Sequence, residues 1–259
     1  MKLKSVKARQ GAQWLRSGFL VFFRRPLAFT ALFAAFLFAA FILLWVPAVG
    51  GVLLLMSLPL VTLGFMLATH GAIQELTPTP ALFFAPLRGN PQRRKALIQL
   101  GVIYALATLA IITISDWIDG GKFEALQAAT TNGKIARDTI DQMLLDPQLH
   151  FGLLVRFGLA GLLSVPFWFA PALVHWDGQG VGQSLFSSTL AVWRARGAFA
   201  IYLLAWSVVI VLFGILVQLV FSMLGTPQMA SIAALPGALM FSTVFYTSLY
   251  FSFADSFDL

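Results

Sequence analysis

Six long apolar stretches decide the solvent in which this chain folds. A helix needs about 20 apolar residues to cross the hydrocarbon of a bilayer, where no water satisfies backbone amides and carbonyls. Residues 27–46, 52–69, 96–115, 151–174, 198–224 and 232–253 meet that requirement to within a turn, and the fourth alone carries a charge, Arg156. With 59% hydrophobic and 10% charged residues over 259 positions, and a mean hydropathy of +0.86, the composition excludes a soluble globular domain. The expected fold class is all-α: a polytopic membrane bundle of six transmembrane helices in three hairpins, with cytoplasmic interfacial amphipathic helices. The first span is too long, and starts too far along the chain, for a cleavable signal peptide, and reads as a retained anchor.

Charge placement gives an orientation. Lys and Arg number seven before residue 27, four between 69 and 96 and two between 174 and 198, against three in 115–151. Cytoplasmic loops collect such cations, so both termini are expected inside, in a bacterial inner membrane. The opposite side then receives the uncharged links 47–51 and 225–231 and the acidic segment 116–150, with Trp45 and Trp117 at span ends. In that segment Ile135, Ile140, Met143 and Leu144 form an apolar stripe if helical. The net charge of +7 sits beside apolar spans, which fits topology and anionic headgroups rather than nucleic acid.

The chain also repeats itself. A shift of 170 residues aligns 13–29 with 183–199, pairing Gln13 with Gln183, Leu15 with Leu185, Ser17 with Ser187, Leu20 with Leu190, Arg24 with Arg194, Ala28 with Ala198 and Phe29 with Phe199. Both segments lead into a hairpin, and Leu82, Phe83, Phe84, Leu87 and Arg88 stand loosely in the same place before the middle one. The second helix of each hairpin carries a proline, Pro59, Pro166 or Pro236, which frees a carbonyl and bends the helix. Leu15, Phe19 and Phe22, like Phe186, Leu190 and Trp193, recur at helical spacing among arginines, the pattern of helices lying along the headgroup boundary. The organisation is thus one membrane domain over 1–259: a lead-in helix 8–26, hairpins 27–69, 96–174 and 198–253, and cytoplasmic loops 70–95 and 175–197.

These Arg-flanked lead-ins (17–26 and 187–196), six spans and alternating prolines resemble a group of uncharacterised proteobacterial inner-membrane proteins. That group is similar to YciC-like proteins and to the membrane domain of multi-pass glycerophosphodiester phosphodiesterases. The resemblance covers nearly the whole chain, through motifs of apolar residues, Gly, Pro and Arg. It implies a fold and a membrane location, not a reaction, since nothing here corresponds to the soluble catalytic barrel of the phosphodiesterases.

The absence of cysteine removes disulfides, thiolate nucleophiles and cysteine metal sites. No P-loop, His-Glu-x-x-His, Gly-x-Ser-x-Gly or dinucleotide loop occurs, and no catalytic residue, cofactor or metal ligand is assigned. His70 and His175, at the cytoplasmic ends of their helices, weigh as axial haem ligands against plain interfacial solvation, which is favoured. His150 has no neighbouring ligand spacing. Arg156 is placed to snorkel or to pair with Asp116, Asp119 or Asp146. Lipid or anion contact is expected of Arg156, Arg24 and Arg194, and partner contact of Trp14, Phe19 and Trp193. Gly158, Ala160 and Gly161 would admit a neighbouring helix, and Ser57, Thr62, Ser164, Ser207 and Gln218 would hydrogen-bond between helices. Two functions remain open: a non-catalytic accessory or scaffold subunit or lipid organiser, with membrane lipids and other inner-membrane proteins as partners, and a transporter or lipid-handling protein with a pathway between hairpins. The second requires a cleft at mid-membrane near Ser57, Ser164 or Gln218.

Overall fold

A computed structural model describes residues 1–132 and 137–258, and Ile135 of the acidic segment lies outside them. Six helices are long and apolar enough to cross a membrane: α2 (Pro26–Leu44), α3 (Gly50–Ile73), α4 (Pro91–Asp119), the pair α7 (Pro147–Phe167) with α8 (Ala170–Asp177), α10 (Arg196–Met223) and α11 (Ala230–Ser256). Shorter helices fill the links: α1 (Gln10–Arg24), α5 (Lys122–Asn132), α6 (Arg137–Leu144) and α9 (Val181–Arg194). Every expected span coincides with one of the long helices. The starts follow the local chemistry, with Pro26, Pro91 and Pro147 in first turns where no amide is needed, and Asn90 and Asp146 accepting the amides of Gln92 and Gln148, each at 2.8 Å.

Six crossings return the chain to the face it left. There the two ends pair as a short antiparallel bridge at Leu3 and Phe257, with the Lys4 amide donating to the Ser256 carbonyl at 2.9 Å and the Asp258 amide to Lys2 at 3.1 Å. The Met1 ammonium reaches Asp177, the last residue of α8, at 2.6 Å. This terminal face is therefore knitted from the beginning, the end and the fourth span.

The repeat becomes a cyclic packing rule. Each lead-in segment docks on the second helix of the preceding hairpin: α1 on α11, the first 3-10 turn (Pro80–Phe83) on α3 while the next (Ala85–Arg88) packs on α4, and α9 on α7 and α8. Equivalent positions do equivalent work. Gly18 of α1 presses against Ser248 and Val244 of α11, and Ser188, 170 residues later, is fully buried against the α7–α8 junction. Before the middle hairpin, Phe83 lies over Gly64 and meets the Phe65 ring at 5.5 Å between centroids. The second helices α3, α8 and α11 thus converge in the centre, and the first helices α2, α4 and α10 stand outside.

This arrangement corrects the expected setting of the first lead-in helix. Its apolar stripe of Trp14, Leu15, Val21 and Phe22 faces α10 and α11, not the bilayer, while Arg16, Leu20, Phe23 and Arg24 point outward. The reason is the small residues on the same stripe, since a Cβ at Gly11 would overlap the Ala198 carbonyl and only glycine lets the backbones approach so closely. Gly158 and Gly161, expected to admit a neighbour, have nothing within 4 Å, whereas Gly101 abuts the Met56 carbonyl and Gly152 the Asp119 side chain.

Candidate functional site

Three places concentrate polar or ionisable groups, and one of them is central. At the depth of Pro59 and Pro166, which lie inside α3 and α7, those helices leave a cleft of about 200 Å³ bordered by α4 and α11. Leu58, Pro59 and Thr62 form one wall, Ser164 and Phe167 another. Tyr104, Trp168, Phe245 and Tyr246 add aromatic surface, with the Tyr104 and Phe167 rings edge to face at 5.0 Å. The wall hydroxyls are turned back on their own helices, Thr62 donating to Leu58 at 3.1 Å and Ser164 to Gly161 at 2.6 Å. The Trp168 indole N–H donates to Ser252 at 3.3 Å. Tyr246 stacks on Phe65 at 4.8 Å, and its hydroxyl has no hydrogen-bond partner among the described residues. The polar groups named from sequence divide here: Ser164 and Thr62 line the cleft, Ser57 bonds Leu54 beside a smaller recess, and Ser207 and Gln218 lie on exposed stretches of α10. The two tyrosines were missed, because one phenol within an aromatic-rich span gives no signal of facing a gap.

The terminal face is the second place. Arg9, Arg16, Arg24, Arg88, Arg94 and Arg194 are all exposed and make no contact with an acidic side chain among the described residues. Arg24 and Arg194, equivalent in the repeat, both occupy the last turn of their helix, where a cation favours the negative end of the helix dipole. Arg25 is tied down instead, donating to the Glu75 carbonyl at 2.5 Å and to Thr77 at 2.8 Å. Trp193 is 67% exposed, with the Arg196 guanidinium 5.4 Å from its ring centroid. Phe19 is half-buried against Trp206 at 5.9 Å. Trp14 is only 1% exposed, its N–H held by Asp255 at 2.8 Å, so it is a core residue and not the partner-facing one expected. His70 has both ring nitrogens engaged, by the Tyr250 hydroxyl at 2.8 Å and Gln74 at 3.1 Å, and His175 lies against Trp176 at 5.5 Å.

The third place is at the opposite face, around Arg156. Its guanidinium pairs with Asp116, donates through Nε to the Ser115 hydroxyl at 2.8 Å, and lies 4.2 Å from the Phe123 ring centroid. Three groups from α4 and α5 thereby meet the one cation of α7, so Arg156 is held within the chain. Nearby, Asp119 is fully buried, with Oδ1 accepting the Gly121 amide at 2.8 Å and Oδ2 without a partner among the described residues. Asp146 caps α7 and pairs with Lys122 at 2.5 Å, and the Lys122 ammonium, with the Gln148 amide, holds its carboxyl below the usual carboxylate range.

With this geometry in view, one comparison is informative. The chain is 28% identical over 260 aligned positions to a probable inner membrane protein of Burkholderia thailandensis, covering all of this chain and 95% of the relative. The chain is a multi-pass inner-membrane protein. No family model matches it, and no solved structure does.

Proposed function

We propose that this protein is a non-catalytic organiser of the inner membrane, with both termini in the cytoplasm, which gathers anionic lipid around its terminal face and serves as an accessory or scaffold to neighbouring membrane proteins. The observation that carries the proposal is the set of exposed arginines on that face, Arg16, Arg24, Arg88, Arg94 and Arg194, without acidic partners among the described residues. Such cations beside membrane-length helices attract anionic headgroups by about 1 kcal/mol each near the surface. Exposed Trp193 offers an aromatic anchor at the same level. The resemblance to YciC-like proteins and to the membrane domain of glycerophosphodiester phosphodiesterases agrees with a membrane role. Gentle extraction into nanodiscs and mass spectrometry of the retained lipid test the proposal. Enrichment of anionic over zwitterionic lipid, lost when Arg16, Arg24 and Arg194 are all changed to Ala, is the expected result. Equal retention of both classes by the native protein would overturn it. Reporter fusions at each terminus test the orientation.

A second reading, lipid handling or transport, draws support from the cleft at Pro59 and Ser164, which lies at the depth such a pathway requires. A stoichiometric protein partner in the same extraction would favour the scaffold over this reading.

A further inference from the structure

The central cleft combines three properties that together narrow what can fill it. Its depth is one: Pro59, Tyr104 and Ser164 stand near the middles of their spans, so the surrounding solvent is hydrocarbon and the occupant must be lipid-soluble. Its walls are another, since half of the lining residues are aromatic. Aromatic rings pack best against another flat ring, offset-stacked or edge to face. The third is the Tyr246 hydroxyl, a donor with no acceptor among the described residues, where hydrocarbon offers none either. A saturated acyl chain would fill the space and leave that donor unpaired. A ring bearing carbonyl oxygens would satisfy it.

We infer that the cleft binds the ring of an isoprenoid quinone, with the Tyr246 hydroxyl donating to a ring carbonyl and the prenyl tail leaving between the helices into the bilayer. The size is adequate, since a dry cavity of about 150 Å³ already takes benzene and this cleft offers about 200 Å³. Phe65 holds the Tyr246 ring flat at 4.8 Å, which fixes the donor in place before the ligand arrives. The inference deepens the lipid-handling reading by naming a ligand class, and it is independent of the arginines on the terminal face.

The test uses the full chain in nanodiscs, titrated with ubiquinone-1 and followed by calorimetry, with native mass spectrometry for stoichiometry. Saturable binding of one quinone per chain is expected. Tyr246→Phe keeps the Phe65 stack and removes only the donor, and should weaken binding about twofold to tenfold, the worth of one neutral hydrogen bond. Ser164→Phe should abolish binding by filling the cleft; if that variant does not fold, Thr62→Leu replaces it, with a smaller loss. Decanol, which has a chain and a hydroxyl but no ring, should not compete. Absence of saturable binding to the native protein, undiminished binding to Tyr246→Phe, or equal competition by decanol would each overturn the inference. Removing Arg16, Arg24 and Arg194 should leave quinone affinity unchanged, so failure here and failure of the headgroup proposal are read separately.

Discussion

The Ser188 hydroxyl stands between the Val165 carbonyl and the Phe169 amide, donating to the first at 2.9 Å and accepting from the second at 3.0 Å. Those two groups would bond each other in an unbroken helix, and their separation is where α7 ends and α8 begins. Pro166 starts the break by removing an amide, and a residue of the next repeat closes it. A buried side chain has become part of the backbone ladder of a different helix. Ser188→Ala would leave the Phe169 amide unsatisfied in an apolar interior and the Val165 carbonyl with only the Trp168 amide at 3.4 Å, a cost of about 2 kcal/mol. Thermal unfolding in mild detergent should show this loss, whereas Ser164→Ala, whose hydroxyl only returns to Gly161 of its own helix, should change little.

Glycines in this chain divide into those that admit a neighbour and those that face lipid. Gly11 and Gly18 hold α1 against Ala198 and Ser248, with no room for a Cβ. Gly11→Val should therefore undock α1 and expose Trp14, which sits among Phe199 and Tyr202 at 5.3 and 5.9 Å. Gly158→Ala meets nothing and should be neutral or slightly stabilising, since alanine is the better helix former by about 1 kcal/mol. Tryptophan emission in detergent separates the cases: a red shift for the first, none for the second.

The spans, hairpins and repeat were legible because each is a contrast between apolar runs and the charged or turn-forming residues that interrupt them. Facing was not. In water an apolar stripe must turn inward, but in lipid it is equally at home against a helix or against acyl chains, so hydrophobicity no longer reports which side is packed. For this reason Trp14 and Trp193 looked alike as lead-in aromatics and ended as core and surface. The same loss of contrast hid Tyr246, while Thr62 and Ser164 were visible as polar atoms in apolar runs. Arg24 and Arg194 of the terminal face are exposed, the direction a charge beside a bilayer is expected to point.

Arg156 joins Asp116 of the preceding span, and the two side chains are 15% and 26% exposed, so each depends on the other for solvation. Arg156→Ala would strand Asp116, and Asp116→Asn would leave the guanidinium with Ser115 and Phe123 alone. Each single change should cost more than half of what the double change costs, because removing both partners removes the stranded charge. A double-mutant cycle on unfolding in detergent measures this coupling, and strictly additive losses would show the pair to be without energetic consequence.

Asp146 links the acidic segment to the fourth span, and its response to acid follows from its partners. The Lys122 ammonium at 2.5 Å and the Gln148 amide at 2.8 Å both favour the ionised carboxylate, so its pKa in the fold lies below the ordinary 3.8. A carboxyl depressed by folding contributes stability that is present above the unfolded value and is lost as the pH falls through the folded one. The first turn of α7 should therefore keep its amide protection at pH 5 and lose it progressively below about pH 4, once exchange rates are corrected for their intrinsic pH dependence. Asp146→Asn retains an N-cap but carries no charge, so its protection should be lower at pH 5 and nearly flat with acidification. A native protein whose α7 amides exchange equally at pH 5 and pH 3 would show that Lys122 and Asp146 meet without holding the start of the span.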